Sequence, residues 1–303
     1  MKRKVALGIM LTMSLINMLT LAFNIQPIKT EPIETKANSL SGGSSWPMFR
    51  HDVTHSGYSP SSAPNRNATL WNYTTDNWVY SSPAVSEGKV YIGSYDNKVY
   101  ALNASTGAHV WNYTTGDFVF SSPAVADGKV YVGSMDGKVY ALNASTGAHI
   151  WNYTTGSFVD SSPAVLEDKV FVGSLDKKVY ALNASTGAFI WSYTTGYWVF
   201  SSPAVSDDKV FVGSLDKKVY ALNASTGAMV WSYTTGDGVY SSPAVSEGRV
   251  FIGSRDGKVY ALNASTGAMV WSYTTGSLVD SSPAVSEGKV YIGSYDKKVY
   301  ALN

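Results

Sequence analysis

A chain of 303 residues with 45% hydrophobic content can bury a sizeable core. Its formal net charge of +1 makes no electrostatic case for nucleic acid, and no nucleic-acid partner is expected. There is no cysteine, which excludes a disulfide framework and thiol or cysteine–zinc chemistry but says little about compartment.

Lys2, Arg3 and Lys4 precede an apolar run from Val5 to Phe23, the pattern of an export signal over residues 1–23. The run is also just long enough to cross a bilayer, so an N-terminal membrane anchor is the alternative, and a membrane tether would follow from it. Residues 24–45 carry Pro27, Pro32 and the pair Gly42-Gly43 without periodicity and read as a flexible linker. An extracellular or cell-surface location is expected.

Residues 46–303 form the folded part. Trp46 to Pro64 is its non-repeated lead-in. His51, Asp52 and His55 sit close together there but match no metal-ligand spacing, so they are expected to be loop residues capping the fold, with no metal site assigned. Beyond it nearly the same forty residues recur, with tryptophan keeping register at Trp71, Trp111, Trp151, Trp191, Trp231 and Trp271.

In the unit that begins at Ser81, Ser82–Val85, Lys89–Ser94, Lys98–Asn103 and Ala108–Thr115 are strand candidates. Glu87-Gly88 and Asp96-Asn97 between them are hairpin punctuation, because such turns need positive φ at little steric cost. The runs KVYIGS and KVYALN are apolar on both faces, as expected of sheets covered on both sides. The predicted fold is all-β: a six-bladed β-propeller of four-stranded antiparallel blades, one for each Ser-Ser-Pro-Ala-Val stretch. Residues 70–75 supply a fourth-strand sequence without its first three, and Ser281 to Asn303 supply three strands without the fourth. The N-terminal strand is therefore expected to close the ring by pairing with the last blade, a longer propeller of seven or eight blades being the rival.

The stretch Ala101-Leu-Asn103-Ala-Ser-Thr106-Gly107-Ala-His-Val-Trp111, repeated five times, resembles the tryptophan-docking motif of pyrroloquinoline-quinone (PQQ)-like propeller repeats. Asn103 and its equivalents stand where that family usually has Asp, although an Asn side-chain oxygen can still cap the turn. The resemblance implies that the six repeat tryptophans are structural wedges between blades. The best-known relatives are PQQ-dependent dehydrogenases, which carry an adjacent-cysteine disulfide and a calcium-linked acidic base. This chain has no cysteine and no insertion within its repeats, so neither PQQ nor calcium is expected as cofactor and no catalytic residue is assigned. His109 and His149 occupy a slot that elsewhere holds Phe189, Met229 and Met269, which reads as structural.

The copies differ most in the blade-to-blade link and the second-to-third turn, which meander geometry places on one rim. Trp78, Tyr80, Tyr95, Phe118, Phe120, Asp160, Trp198, Phe200, Tyr240, Arg255 and Asp280 are the candidate binding residues there, weighed against a role as filling between blades. Asp160 and Asp280 are 120 residues apart, diametrically opposite in a six-membered ring, and are candidates for binding a cation or a polar ligand together. Among the Asn-x-Ser/Thr triplets, Asn67, Asn72, Asn112 and Asn152 are the glycosylation candidates, since Asn103 and its equivalents are tied into turns. The function expected is a non-catalytic binding or scaffold protein that recognises a protein or glycan at the cell surface. A PQQ-dependent oxidoreductase and a structural surface-layer component are the alternatives.

Overall fold

The structure, a computed structural model, describes residues 45–57, 59 and 64–303. The expected export signal and nearly all of the linker lie outside the described residues. No helix among the described residues is long and apolar enough to cross a membrane.

The strands fall into six antiparallel sheets, each a meander in chain order. Blade 1 consists of Ala84–Ser86, Lys89–Gly93, Lys98–Asn103 and His109–Thr114, and blades 2 to 5 repeat it at forty-residue intervals. Glu87 and Gly88 take φ values of 49° and 71° in the first turn, as the Glu-Gly pair foretold. In each of these five blades the ladder between third and outer strand shifts register after the third strand's alanine, Ala101 in blade 1. That bulge turns the outer strand so that Trp111 faces the next blade.

Three contacts lock one blade to the next. The Trp111 indole donates to the Ala144 carbonyl at 3.0 Å, and the ring lies so close over Gly147 that a Cβ there would come within 2.7 Å of it. Val119 sits on Gly93, where a Cβ would come within 2.4 Å of the valine side chain. The Ser122 hydroxyl accepts from Ser82 N–H at 2.9 Å, while the Ser121 hydroxyl accepts from Gly133 N–H in its own blade. The two serines thus have separate duties, one between blades and one within, which accounts for their presence in all copies. Asn103 does cap its turn: its side-chain oxygen accepts from the N–H groups of Ser105 and Thr106.

The lead-in runs along the first strands of the blades. Trp46 pairs with Val85, and Val125, Val205, Val245 and Val285 donate to the carbonyls of Pro47, Val53, Thr54 and Ser56. First strands that all reach one short segment surround a common axis, and the segment plugs the channel at the rim of the first-to-second turns. Asp52 holds the plug's bend, accepting from the N–H and hydroxyl of both Thr54 and Ser56. The fully buried His55 packs its ring against Phe49 and contacts the Pro243 carbonyl at 3.2 Å through Nδ1. The expected capping role of these residues is the observed one, and no cluster of metal-ligating side chains occurs among the described residues.

The expected closure is not made. Ala284–Ser286, Lys289–Ser294 and Lys298–Leu302 stay a three-stranded sheet with its last strand exposed. Residues 70–75 form no strand. They nevertheless make the wedge contact of an outer strand onto the following blade, the Trp71 indole donating to the Ala104 carbonyl at 3.0 Å as Trp111 does to Ala144. Among the described residues the last strand, Lys298–Leu302, pairs only with Lys289–Ser294. Both sides of the seam consequently keep half of an unfilled contact. Val79 is 48% exposed where Val119 is fully covered, and Gly293 meets no valine. No sixth serine bond runs from Ser282 to Ser82 among the described residues. Trp271 is only half-buried, but it still packs between blades 5 and 6, against Phe251 and Ala261 on one side and Val290 and Leu302 on the other.

Candidate functional site

The link residues and the second-to-third turns do share a rim. Val119 N–H donates to the Ser94 carbonyl, and Met135 N–H donates to the Phe118 carbonyl, with the same pattern in the following blades. Below them the turn aspartates are structural: Asp136 accepts from Gly116 N–H, Lys138 N–H and the Tyr140 hydroxyl. On the opposite rim the third-to-fourth turn is tied to the first-to-second turn by Ala104 N–H and the Gly88 carbonyl. The lead-in lies towards that end, so the variable rim is the mouth of the ring opposite it.

Five expected residues form one aromatic cluster beside blades 1 and 2. Tyr95 is its centre, with ring centroids 4.4 Å from Phe120, 4.8 Å from Phe118, 5.6 Å from Trp78 and 6.1 Å from Tyr80. Tyr80 also meets Phe120 edge-on at 5.6 Å. Trp78 and Tyr80 remain 73% and 72% exposed, because they lie at the seam. A second cluster runs along the mouth through Trp198, Phe200 and Tyr240, the last two stacked at 4.5 Å. Tyr197 packs tilted against Trp198 at 4.8 Å and belongs to this surface, although its variable position was the only sequence signal for it.

Arg255 joins the second cluster to Asp280. Its Nε and Nη2 donate to the two carboxylate oxygens of Asp280 at 2.9 Å each, and its guanidinium carbon lies 4.8 Å from the Tyr240 ring centroid. This is bidentate recognition with cation–π stacking, the geometry for which arginine is suited. Asp280 is therefore paired inside the chain, whereas Asp160 has no such partner among the described residues. Sequence comparison placed Asp280 by its forty-residue register, but only side-chain packing shows that Arg255 reaches it.

Asp160 is different. It occupies the same link position between Phe120 and Phe200 in ring order, and burial raises its pKa to about 6. Its charge in turn adds to the effect of burial in pushing up the phenols of Tyr95 and Tyr240, the latter to about 12, so both rings lie near it. The two aromatic clusters thus flank one recessed carboxylate.

The slot shared by His, Phe and Met is structural. His109 stacks on Tyr73 at 6.1 Å and His149 on Tyr113 at 6.0 Å, while Phe189 takes the same place on Tyr153. Asn67, Asn72, Asn112 and Asn152 are all exposed, and the last two contact His109 and His149 through their amides.

Six meander sheets about a plugged axis, joined by tryptophan wedges, define a PQQ-like β-propeller. Residues 53–249, well over half of the chain, match the profile of the family described as the beta-propeller of the beta-alanine-activating enzyme, and the chain belongs to that family. Residues 234–303 match the profile described as outer membrane protein assembly factor BamB. No curated protein matches the chain in sequence. Among solved structures, BamB from Moraxella catarrhalis is similar at 21% identity and a TM-score of 0.54, covering 80% of this chain and 86% of that one. The computationally designed Ika8 protein is similar at 20% identity and a TM-score of 0.67, with 73% and 70% covered. Quinohemoprotein alcohol dehydrogenase from Comamonas testosteroni is 20% identical with a TM-score of 0.66, and the chain spans only 49% of it. At such identities the likeness is one of fold.

Proposed function

We propose that this chain is a non-catalytic binding scaffold outside the cell or at its surface, whose variable rim engages a protein partner. The observation that carries this reading is the concentration of variation between copies on the one rim opposite the lead-in, where Trp78, Trp198, Tyr197 and Phe158 remain exposed. Rigid aromatics that expose large faces at low entropic cost are the usual anchors of interfaces. The likeness to a protein assembly factor of the outer membrane supports a protein partner and a cell-envelope setting. The apolar residues 5–23 support export or tethering. Exposed Asn67, Asn72, Asn112 and Asn152 are then open to glycosylation.

A quinone enzyme is the less favoured reading. PQQ is a tricarboxylate and needs cations around it, whereas the mouth's guanidinium is committed to Asp280 and Asp160 adds a negative charge. The test is cross-linking capture by residues 46–303, identified by mass spectrometry, against a Trp78→Ala/Phe118→Ala/Trp198→Ala variant whose circular dichroism is unchanged. Partners lost only from the variant are the expected result. Equal capture by both proteins, or alcohol-dependent dye reduction after adding PQQ and calcium, would overturn the reading.

A further inference from the structure

The rim repeats itself at three blades. Asp280 corresponds to Asp160, Tyr240 to Phe120 and Arg255 to Met135, each 120 residues apart. The backbone confirms the equivalence: Arg255 N–H donates to the Gly238 carbonyl at 3.0 Å, as Met135 N–H does to the Phe118 carbonyl at 2.9 Å. One of the two positions is filled from within, with the Arg255 guanidinium bidentate on Asp280 and laid over Tyr240. The other has the carboxylate and the aromatic ring but a methionine where the arginine would start. Among the described residues no cation or hydrogen-bond donor contacts the Asp160 carboxylate, and burial raises its pKa to about 6. A recessed carboxylate left in that state is costly and favours an incoming cation. Nearby titratable groups do not offset it: the phenols of Tyr95 and Tyr240 are uncharged at neutral pH, and Asp280 is matched by Arg255.

We propose that Asp160 and Phe120 form a receptor for the guanidinium of an arginine side chain on the partner protein, bound as Asp280 and Tyr240 bind Arg255. The inference rests on the binding role of the rim and adds the chemistry it selects. Guanidinium is favoured over ammonium because the filled position uses both donors of a planar fork and a stacked face, which lysine cannot reproduce.

The experiment titrates residues 46–303 with N-acetyl-arginine amide and N-acetyl-lysine amide while the Asp160 carboxyl carbon is followed by NMR. Arginine amide should bind at least about tenfold more tightly than lysine amide and bring the Asp160 pKa down from about 6. Asp160→Asn, nearly isosteric, should abolish binding. Met135→Arg should fill the site in cis, abolish binding and lower the Asp160 pKa without any ligand, with Met135→Lys as the weaker counterpart should the arginine variant misfold. Binding unaffected by Asp160→Asn, or equal for both amides, would overturn the proposal. Because the probes need no partner, their failure beside rim-dependent protein capture would remove the arginine receptor and leave the binding role standing.

Discussion

The interface between blades 2 and 3 and the seam beside blade 6 are built from the same sequence, yet only the first is complete. At the interior interface Trp151 donates to the Ala184 carbonyl at 3.0 Å, Val159 is fully covered by Gly133, and Ser122 donates to Ser162. At the seam Val79 and Gly293 stand apart and Val299 of the last strand is 81% exposed, while Trp271, one interface earlier between blades 5 and 6, is half-buried. Identical residues therefore differ in worth according to whether a neighbour is present. This is the logic of a repeat protein, in which each unit is stabilised by the next.

The contrast is broken most strongly at the tryptophans. Trp151→Ala should cost about 4 kcal/mol, through lost burial and the cavity left between two blades, and Trp271→Ala about 1 kcal/mol. Urea denaturation of both variants reads the difference, and equal costs would mean that Trp271 packs between blades 5 and 6 as fully as Trp151 does between blades 2 and 3. A smaller effect is expected at the glycines. Gly133→Ala places a Cβ 2.5 Å from the Val159 side chain and 2.6 Å from its carbonyl oxygen, so a strand must move, at about 3 kcal/mol. Gly293→Ala meets nothing nearer than Ser281 at 3.6 Å and should be neutral or slightly stabilising in the same assay.

The smallest effect lies at the mouth, where Asp160 has interior blades on both sides and Asp280 lies next to the seam. The Asp160 pKa is raised from 3.8 to about 6 by burial, so its contribution to stability is fully present below pH 3.8 and is lost as pH rises through about 6. Asp160→Asn should thus be more stable than the parent by about 1–2 kcal/mol at pH 8, with the gap closing towards pH 4. Asp280→Asn should instead cost about 1 kcal/mol at pH 8, since it leaves the Arg255 guanidinium without its carboxylate. Denaturant midpoints at the two pH values would show whether the two aspartates respond in opposite directions.

Much of the fold was legible because repetition exposes it. The Glu-Gly and Asp-Asn pairs marked turns, the doubly apolar strands marked sheets covered on both faces, and the Ala-to-Trp motif marked the wedge. The two duties of Ser121 and Ser122 were not legible, since each depends on a partner 12 or 40 residues away that packing alone selects. The lead-in hid its role for a similar reason. Nothing in its polarity says that its carbonyls will pair with first strands of five different blades, or that His55 will be fully buried among them.

The sequence by itself determined the local structure: strand lengths, turn types, the number of sheets and the rim on which the copies diverge. These depend on periodicities and on residues that admit only a few backbone conformations. Tertiary structure decided whether the ring meets itself and which of two matching aspartates is neutralised. Both outcomes depend on distances summed over several blades, where a small angle per interface separates contact from gap. Local patterns carry no record of that sum.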